Sequence, residues 1–117
     1  VDPARLGVYG HSMGGNLTVY VAGSDKRVKV AAPSVGGSGF RTIPRPLLPE
    51  ERKQLPNGDA KLFAATLGFE AYAPHVTAPL LWLGATNDFH GIMDDTYRTG
   101  ELIPHANVRY SFTPHMN

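Results

Sequence analysis

Arg5-Leu6-Gly7-Val8-Tyr9-Gly10-His11-Ser12-Met13-Gly14-Gly15 begins with apolar β-formers and ends in closely spaced glycines around a single serine. The apolar density up to Gly10 predicts a short strand buried on both faces. From Met13 to Ala22 the pattern turns helical, with Leu17 and Val21 four apart and Tyr20 three after Leu17, and Gly23 stands where a C-cap belongs. The turn between strand and helix is Gly10-His11-Ser12-Met13-Gly14, a G-x-S-x-G pattern. Glycines two before and two after the serine predict a turn too tight for a Cβ at either position, holding Ser12 Oγ out at the helix N-terminus on a strained backbone. The backbone N–H of Met13 then points toward any negative charge that develops there, half of an oxyanion hole. A Gly-rich turn with an N-capping serine is the bland alternative. The strand before, the helix after and Gly15, placed for close helix–sheet packing, favour Ser12 as a nucleophile. Without a G-x-G-x-x-G run or a P-loop lysine, nucleotide binding drops out.

The rest of the chain continues the alternation. Val28 to Ala32 is a second short strand, after which Pro33, Gly36, Gly37 and Gly39 break regular structure. A Pro-rich excursion follows over about 38–58, with Pro44, Pro46, Pro49, Pro56 and the charged run Glu50-Glu51-Arg52-Lys53. Its length fits a lid or substrate-facing insertion, or equally a solvated excursion with no direct role. Asp59 can cap a helix starting at Ala60 that turns Leu62, Phe63, Thr66 and Leu67 toward a sheet face. Pro79 to Gly84 is the most apolar run and predicts a central parallel strand, with Ala85 to Asp88 as its exit. Asp94 or Asp95 can cap a helix through Tyr97 to Ile103, and Asn107 to Phe112 is the last strand, left by Thr113-Pro114-His115. Strands alternating with helices predict an α/β fold with a mostly parallel sheet and flanking helices.

Composition narrows the chemistry. In 117 residues, 11 Lys and Arg stand against 10 Asp and Glu, and 42% of residues are hydrophobic, which supports one small globular domain. A net charge of +1 gives no broad positive field, so neither nucleic acid nor an anionic membrane is the expected partner. Without cysteine there is no thiolate nucleophile, disulfide or thiolate metal site. The histidines show no H-x-x-x-H spacing and Asp94-Asp95 lacks a calcium-loop pattern, so no metal or other cofactor is expected. No run approaches the ~20 apolar residues of a spanning helix. The first residue is Val and no signal peptide precedes the first strand, so a fragment of a longer protein is expected. Compartment and oligomeric state are not written in these features.

An acid and a base for Ser12 can be sought by strand direction. Asp88 lies just past the carboxyl end of a predicted parallel strand, on the edge where Ser12 emerges and where active groups of open α/β sheets gather. Asp94 and Asp95 compete, but capping a helix accounts for them. Among the histidines, His11 sits within the turn and does not reach back to Ser12. His75 and His105 precede strands, which puts them at the opposite edge as solvated surface residues. His90 is on the right edge but only two residues after Asp88, a tight geometry for the two to clasp. His115 follows the last strand on the right edge, with 27 residues after Asp88 to hold a helix and a strand. It is the expected base.

Val1 to Gly15 resembles the nucleophile elbow (8–15) of α/β-hydrolases, especially the dienelactone-hydrolase-like and acetyl-xylan-esterase-like branches. Pro74 to Asp88 is similar to the family's strand that delivers the triad acid, and the order Ser12, Asp88, His115 matches the family's order. The resemblance implies an acid loop at 84–90, a histidine loop at 113–117 and a serine hydrolase of small carboxylic esters, acetyl esters of carbohydrate among them. A serine peptidase of the prolyl-oligopeptidase type, or a hydrolase-like binding module, is the alternative. It also implies that residues 1–117 are the C-terminal part of one domain lacking its N-terminal strands. The second oxyanion donor would then lie outside this chain, the isolated chain would be a poor catalyst, and the first strand would be left as a bare edge.

Overall fold

The computed structural model describes residues 2–39, 60–88 and 90–115. Asp2 opens the fold, its carboxylate accepting the Ala4 N–H at 2.9 Å and pairing with Arg5 Nε at 2.8 Å. Four parallel strands follow in sheet order β1-β2-β3-β4: β1 is Leu6–His11, β2 Val28–Ser34, β3 Leu80–Ala85 and β4 Val108–Thr113. Helix α1 (Met13–Ser24) crosses from β1 to β2, α2 (Ala60–Thr66) and two 3₁₀ turns (Phe69–Ala71, Ala73–His75) precede β3, and α3 (Met93–Glu101) precedes β4. Sequence order equals sheet order, so each helix-bearing connection moves the chain one strand along and every carboxyl end opens on the same edge. β1 is an edge strand, as the sequence led us to expect.

One face of the sheet carries the core. Val19 and Ala22 of α1, Val28 and Ala31 of β2, Leu80 and Trp82 of β3, and Phe69, Ala73, Val76 and Ile103 of the connections are buried together. Trp82 is its largest member, and Tyr110 and Phe112 flank it in a stacked aromatic ladder along β4, each pair 6.4 Å between ring centres. Tyr20 extends the core sideways, stacked on Phe69 and edge-on to Tyr72 at 4.7 Å from each.

Among the described residues no element covers the opposite face, and this corrects the expectation that β1 is buried on both sides. Along β1 burial alternates: Leu6, Val8 and Gly10 are half-buried, Gly7, Tyr9 and His11 exposed. Tyr9 is 66% exposed, Val30 51% and Leu81 39%, all on the same side of the sheet. A shallow depression of about 320 Å³ lies on this face, lined by Val30, Pro79, Leu80, Leu81, Asn107 and Arg109. It sits at the amino ends of the strands, at the other edge from Ser12.

Three helical expectations also change. Helix α1 buries Gly15, Thr18, Val19, Ala22 and Gly23 and leaves Leu17 and Val21 exposed. Small residues win that face because the helix lies so close to β2 that a Cβ on Gly15 would come within 2.5 Å of the Ser34 carbonyl oxygen. Helix α2 begins at Ala60 as expected, but Leu62, Phe63 and Leu67 are exposed, so it packs on the following turn and not on the sheet. Asp59, its expected cap, and most of the 38–58 excursion lie outside the described residues. Helix α3 is capped at Ile92 without a side-chain hydrogen bond. Asp94 and Asp95 sit in its first turn, where the helix dipole favours carboxylates, and Asp95 is buried beside Arg98 at 3.9 Å.

Candidate active site

Ser12 is the N-cap residue of α1, directly after β1, with φ 56° and ψ −114°. A non-glycine residue held there stores of order 1–3 kcal/mol of backbone strain and persists only where its neighbours over-determine it. They do so here: the Ser12 N–H donates to the Ser34 carbonyl at 2.8 Å and its own carbonyl accepts the Asn16 N–H at 3.1 Å. A Cβ on Gly10 would collide with the Gly14 backbone, so glycine at 10 is obligatory. Gly14 differs: a Cβ there meets nothing within 4 Å. The tight approach therefore runs from Gly10 onto the Gly14 main chain, and only one of the two glycines is needed for space. Ser12 is exposed, and the Met13 N–H, at the first residue of α1, has no backbone partner among the described residues. The Met13 side chain is 75% exposed beside it.

The loop after β2 forms the floor next to this turn. Val35 (φ 51°) and Gly37 (φ 84°) both take left-handed conformations. Three side chains then pin the loop: Trp82 Nε1 donates to the Gly36 carbonyl at 2.9 Å, Asn16 Oδ1 accepts the Gly37 N–H at 2.7 Å and Thr99 Oγ1 accepts the Gly39 N–H at 2.9 Å. Sequence reading took these glycines only as breakers and missed Asn16, Trp82 and Thr99. The run Gly36-Gly37 was the available signal, but its partners are 20 or more residues away in the chain.

Asp88 is the third residue after β3, half-buried, with its backbone N–H on the Ala85 carbonyl at 3.3 Å. Its Oδ1 accepts the His90 N–H at 2.8 Å. Its Oδ2 is shielded from solvent and has no hydrogen-bond partner among the described residues.

His115, the second residue after β4, is exposed and has φ 53°. Its N–H reaches Thr86 Oγ1 at 3.4 Å, and the Thr86 N–H donates to the Thr113 carbonyl at 3.1 Å, which joins the exit of β4 to that of β3.

All three residues thus leave the same edge; Ser12 packs against Gly36, and Asp88 and Gly36 border the same space beside Gly91. A Cβ on Gly36 would lie 2.5 Å from the Ser12 carbonyl oxygen, and one on Gly91 would lie 2.8 Å from Asp88 Oδ2 and 3.3 Å from the Gly36 nitrogen. No hydrogen bond joins Ser12 Oγ, the His115 ring and Asp88 Oδ2 among the described residues. Adjacent strands are about 4.8 Å apart, so β1 and β4 exit roughly 14 Å from each other and the histidine loop has to fold back across the edge to reach Ser12.

The remaining histidines fall elsewhere. His11 Nδ1 lies 3.0 Å from Ser34 Oγ, on the uncovered face of the sheet. His75 is exposed at the amino edge, its carbonyl accepting Lys26 Nζ at 2.8 Å. His105 shares that edge but is not a solvated surface group: it is half-buried, its Nδ1 accepts the Asn107 N–H at 3.2 Å, and its Nε2 is shielded from solvent. Among the described residues no three His, Asp or Glu side chains gather as a metal ligand set, and no helix is long and apolar enough to cross a membrane.

Comparison with known proteins agrees with this geometry at the level of fold. The acylaminoacyl peptidase of Pyrococcus horikoshii superposes with a TM-score of 0.69 at 21% identity over 99% of this chain and 20% of its own. 2,6-Dihydroxy-pseudo-oxynicotine hydrolase gives 0.70 at 21% identity, covering 96% of this chain and 34% of its own. The esterase domain of a Rhodothermus marinus protein gives 0.58 at 18% identity, covering 92% and 47%. The chain therefore spans between a fifth and a half of the length of these relatives and shares their α/β-hydrolase fold. No curated protein matches it. The family model of the dienelactone hydrolase family matches residues 1–117, and the chain belongs to that family.

Proposed function

We propose that this chain carries the nucleophile, base and acid of a serine hydrolase that cleaves small carboxylic esters, acetyl esters of carbohydrate among the candidates. The observation that carries the reading is the backbone of Ser12, strained at φ 56° and ψ −114° where a parallel strand meets the N-terminus of a twelve-residue helix. A capping serine needs no such conformation, because N-cap residues ordinarily sit in the extended region and accept a hydrogen bond, and Ser12 makes none with its side chain.

The steps are those of acyl transfer. His115 takes the proton from Ser12 Oγ as the oxygen attacks the ester carbonyl, and the C–O bond forms at the expense of the carbonyl π bond. The oxyanion accepts the Met13 N–H at the helix terminus. His115 returns the proton to the leaving alcohol, the acyl group stays on Ser12, and a water deprotonated by the same histidine releases it. Asp88 Oδ2, buried and without a donor among the described residues, is the oxygen suited to receive the imidazole N–H and hold its tautomer.

Ser12→Ala in the full-length polypeptide, assayed with an activated acetyl ester, tests this directly. We expect a fall in kcat on the order of 10⁴–10⁶. Unchanged turnover would reduce the chain to a hydrolase-like binding module, and faster cleavage of an aminoacyl anilide than of the ester would move it to the peptidases.

A further inference from the structure

Gly91 and Gly36 form a seam between the acid loop and the nucleophile turn. Neither has a positive φ, for Gly37 alone does so among the described glycines, so backbone conformation does not call for glycine at 36 or 91. Space does. Gly91 is buried, and a methyl on it would lie 2.8 Å from Asp88 Oδ2 and 3.3 Å from the Gly36 nitrogen. Gly36 in turn is held flat against the Ser12 carbonyl and Asn16 Oδ1, at 2.5 and 2.8 Å from where its own Cβ would be, and Trp82 anchors it from below.

Resting on the serine-hydrolase reading, we propose that Gly91 is a positioning residue: the room it leaves is bordered by Asp88 Oδ2 on one side and the Gly36 nitrogen on the other, and sets the gap between acid and nucleophile. Of the atoms a methyl at 91 would meet, the Gly36 nitrogen belongs to a pinned loop and the carboxylate oxygen to the end of a side chain. The carboxylate is the group that yields. It swings away from its place while the fold stays intact, and the imidazole loses its orienting partner.

The test is a pair of double-mutant cycles in the full-length polypeptide. Gly91→Ala is expected to lower kcat for an activated ester about 10²-fold, the cost of an ångström-scale misplacement, with KM little changed. In an Asp88→Asn background, itself expected to lose about 10⁴-fold, the same change costs nothing further. Retention of kcat by Gly91→Ala beside a crippled Asp88→Asn overturns the role of Gly91 alone. Full activity in Asp88→Asn removes the acid assignment and the inference with it. Urea unfolding covers the case in which Gly91→Ala is unstable: in an Asp88→Ala background the methyl is expected to be tolerated. Equal destabilisation in both backgrounds means that it strikes the Gly36 backbone, and overturns the proposal.

Discussion

Ser12 and His115 share the sign of φ and almost nothing else. Both are non-glycine residues at positive φ, 56° and 53°, at the carboxyl ends of parallel strands. Ser12 is gripped on both sides of its peptide, by the Ser34 carbonyl and the Asn16 N–H, with the Gly10–Gly14 approach beneath it. Among the described residues His115 is held by a 3.4 Å contact to Thr86 on an exposed segment. Strain of this kind survives only where surroundings enforce it. The Ser12 end is therefore preorganised by local packing, whereas the placement of His115 depends on how the segment after β4 is held at the edge.

The sharpest way to break this contrast is at the histidines. His115→Ala is expected to cost kcat on the order of 10⁴–10⁶, as removal of the nucleophile does, and His90→Ala only a few-fold. His90 meets Asp88 through its backbone N–H, which an alanine keeps. The reverse ranking in steady-state kinetics would transfer the base to residue 90 and leave His115 as a surface residue at the end of β4.

The two glycines of the turn sharpen the nucleophile side. Gly10→Ala places a methyl on the Gly14 backbone, which no rotamer relieves, and is expected to cost about 1–3 kcal/mol or more in urea unfolding. Gly14→Ala meets open space inside a helix and is expected to be neutral or to stabilise by up to about 1 kcal/mol. Equal costs would mean that both glycines are present for space, the symmetric turn that the motif alone implies.

What was legible in the sequence divides along the same line. The turn at Ser12 could be read because its determinants are contiguous in the chain: a β-rich run, Gly10, Ser12 and the helix after it. Parallel order followed from alternation, and the apolar run at Leu80–Ala85 marked a strand one place from the β4 edge. The faces were harder. Apolar spacing pointed to Leu17 and Val21, yet α1 presents Gly15, Thr18 and Ala22 to the sheet, because close approach rewards small side chains and periodicity records only hydrophobicity. β1 was expected to be covered on both sides, but a run such as Leu6 to Tyr9 does not tell how many helices the fold supplies. The pinning of Gly36 by Trp82 spans 46 residues and leaves no local mark.

The far end of α1 supplies the smallest expected effect and a control on the whole contrast. Asp25 follows the last turn, where a carboxylate faces the negative end of the helix dipole. Arg27 compensates: its side chain and backbone both donate to the Asp25 carboxylate, with Nη2 to Oδ2 at 2.6 Å, and these hydrogen bonds lower the Asp25 pKa from 3.8 to about 2. A carboxyl group with a depressed folded pKa contributes stability above its unfolded value and loses it as pH falls through the folded one. Whatever the pair contributes is therefore complete above about pH 4 and fades between about 4 and 2. Because Arg27 is exposed and Asp25 half-buried at the surface, solvent screens the pair and the contribution is small. Asp25→Asn is expected to lower the melting temperature slightly near neutral pH, to match the wild type near pH 2, and to leave kcat unchanged near neutral pH. A loss of turnover in Asp25→Asn would mean that the C-terminus of α1 communicates with Ser12 along the helix, and that the elbow is not held by its immediate neighbours alone.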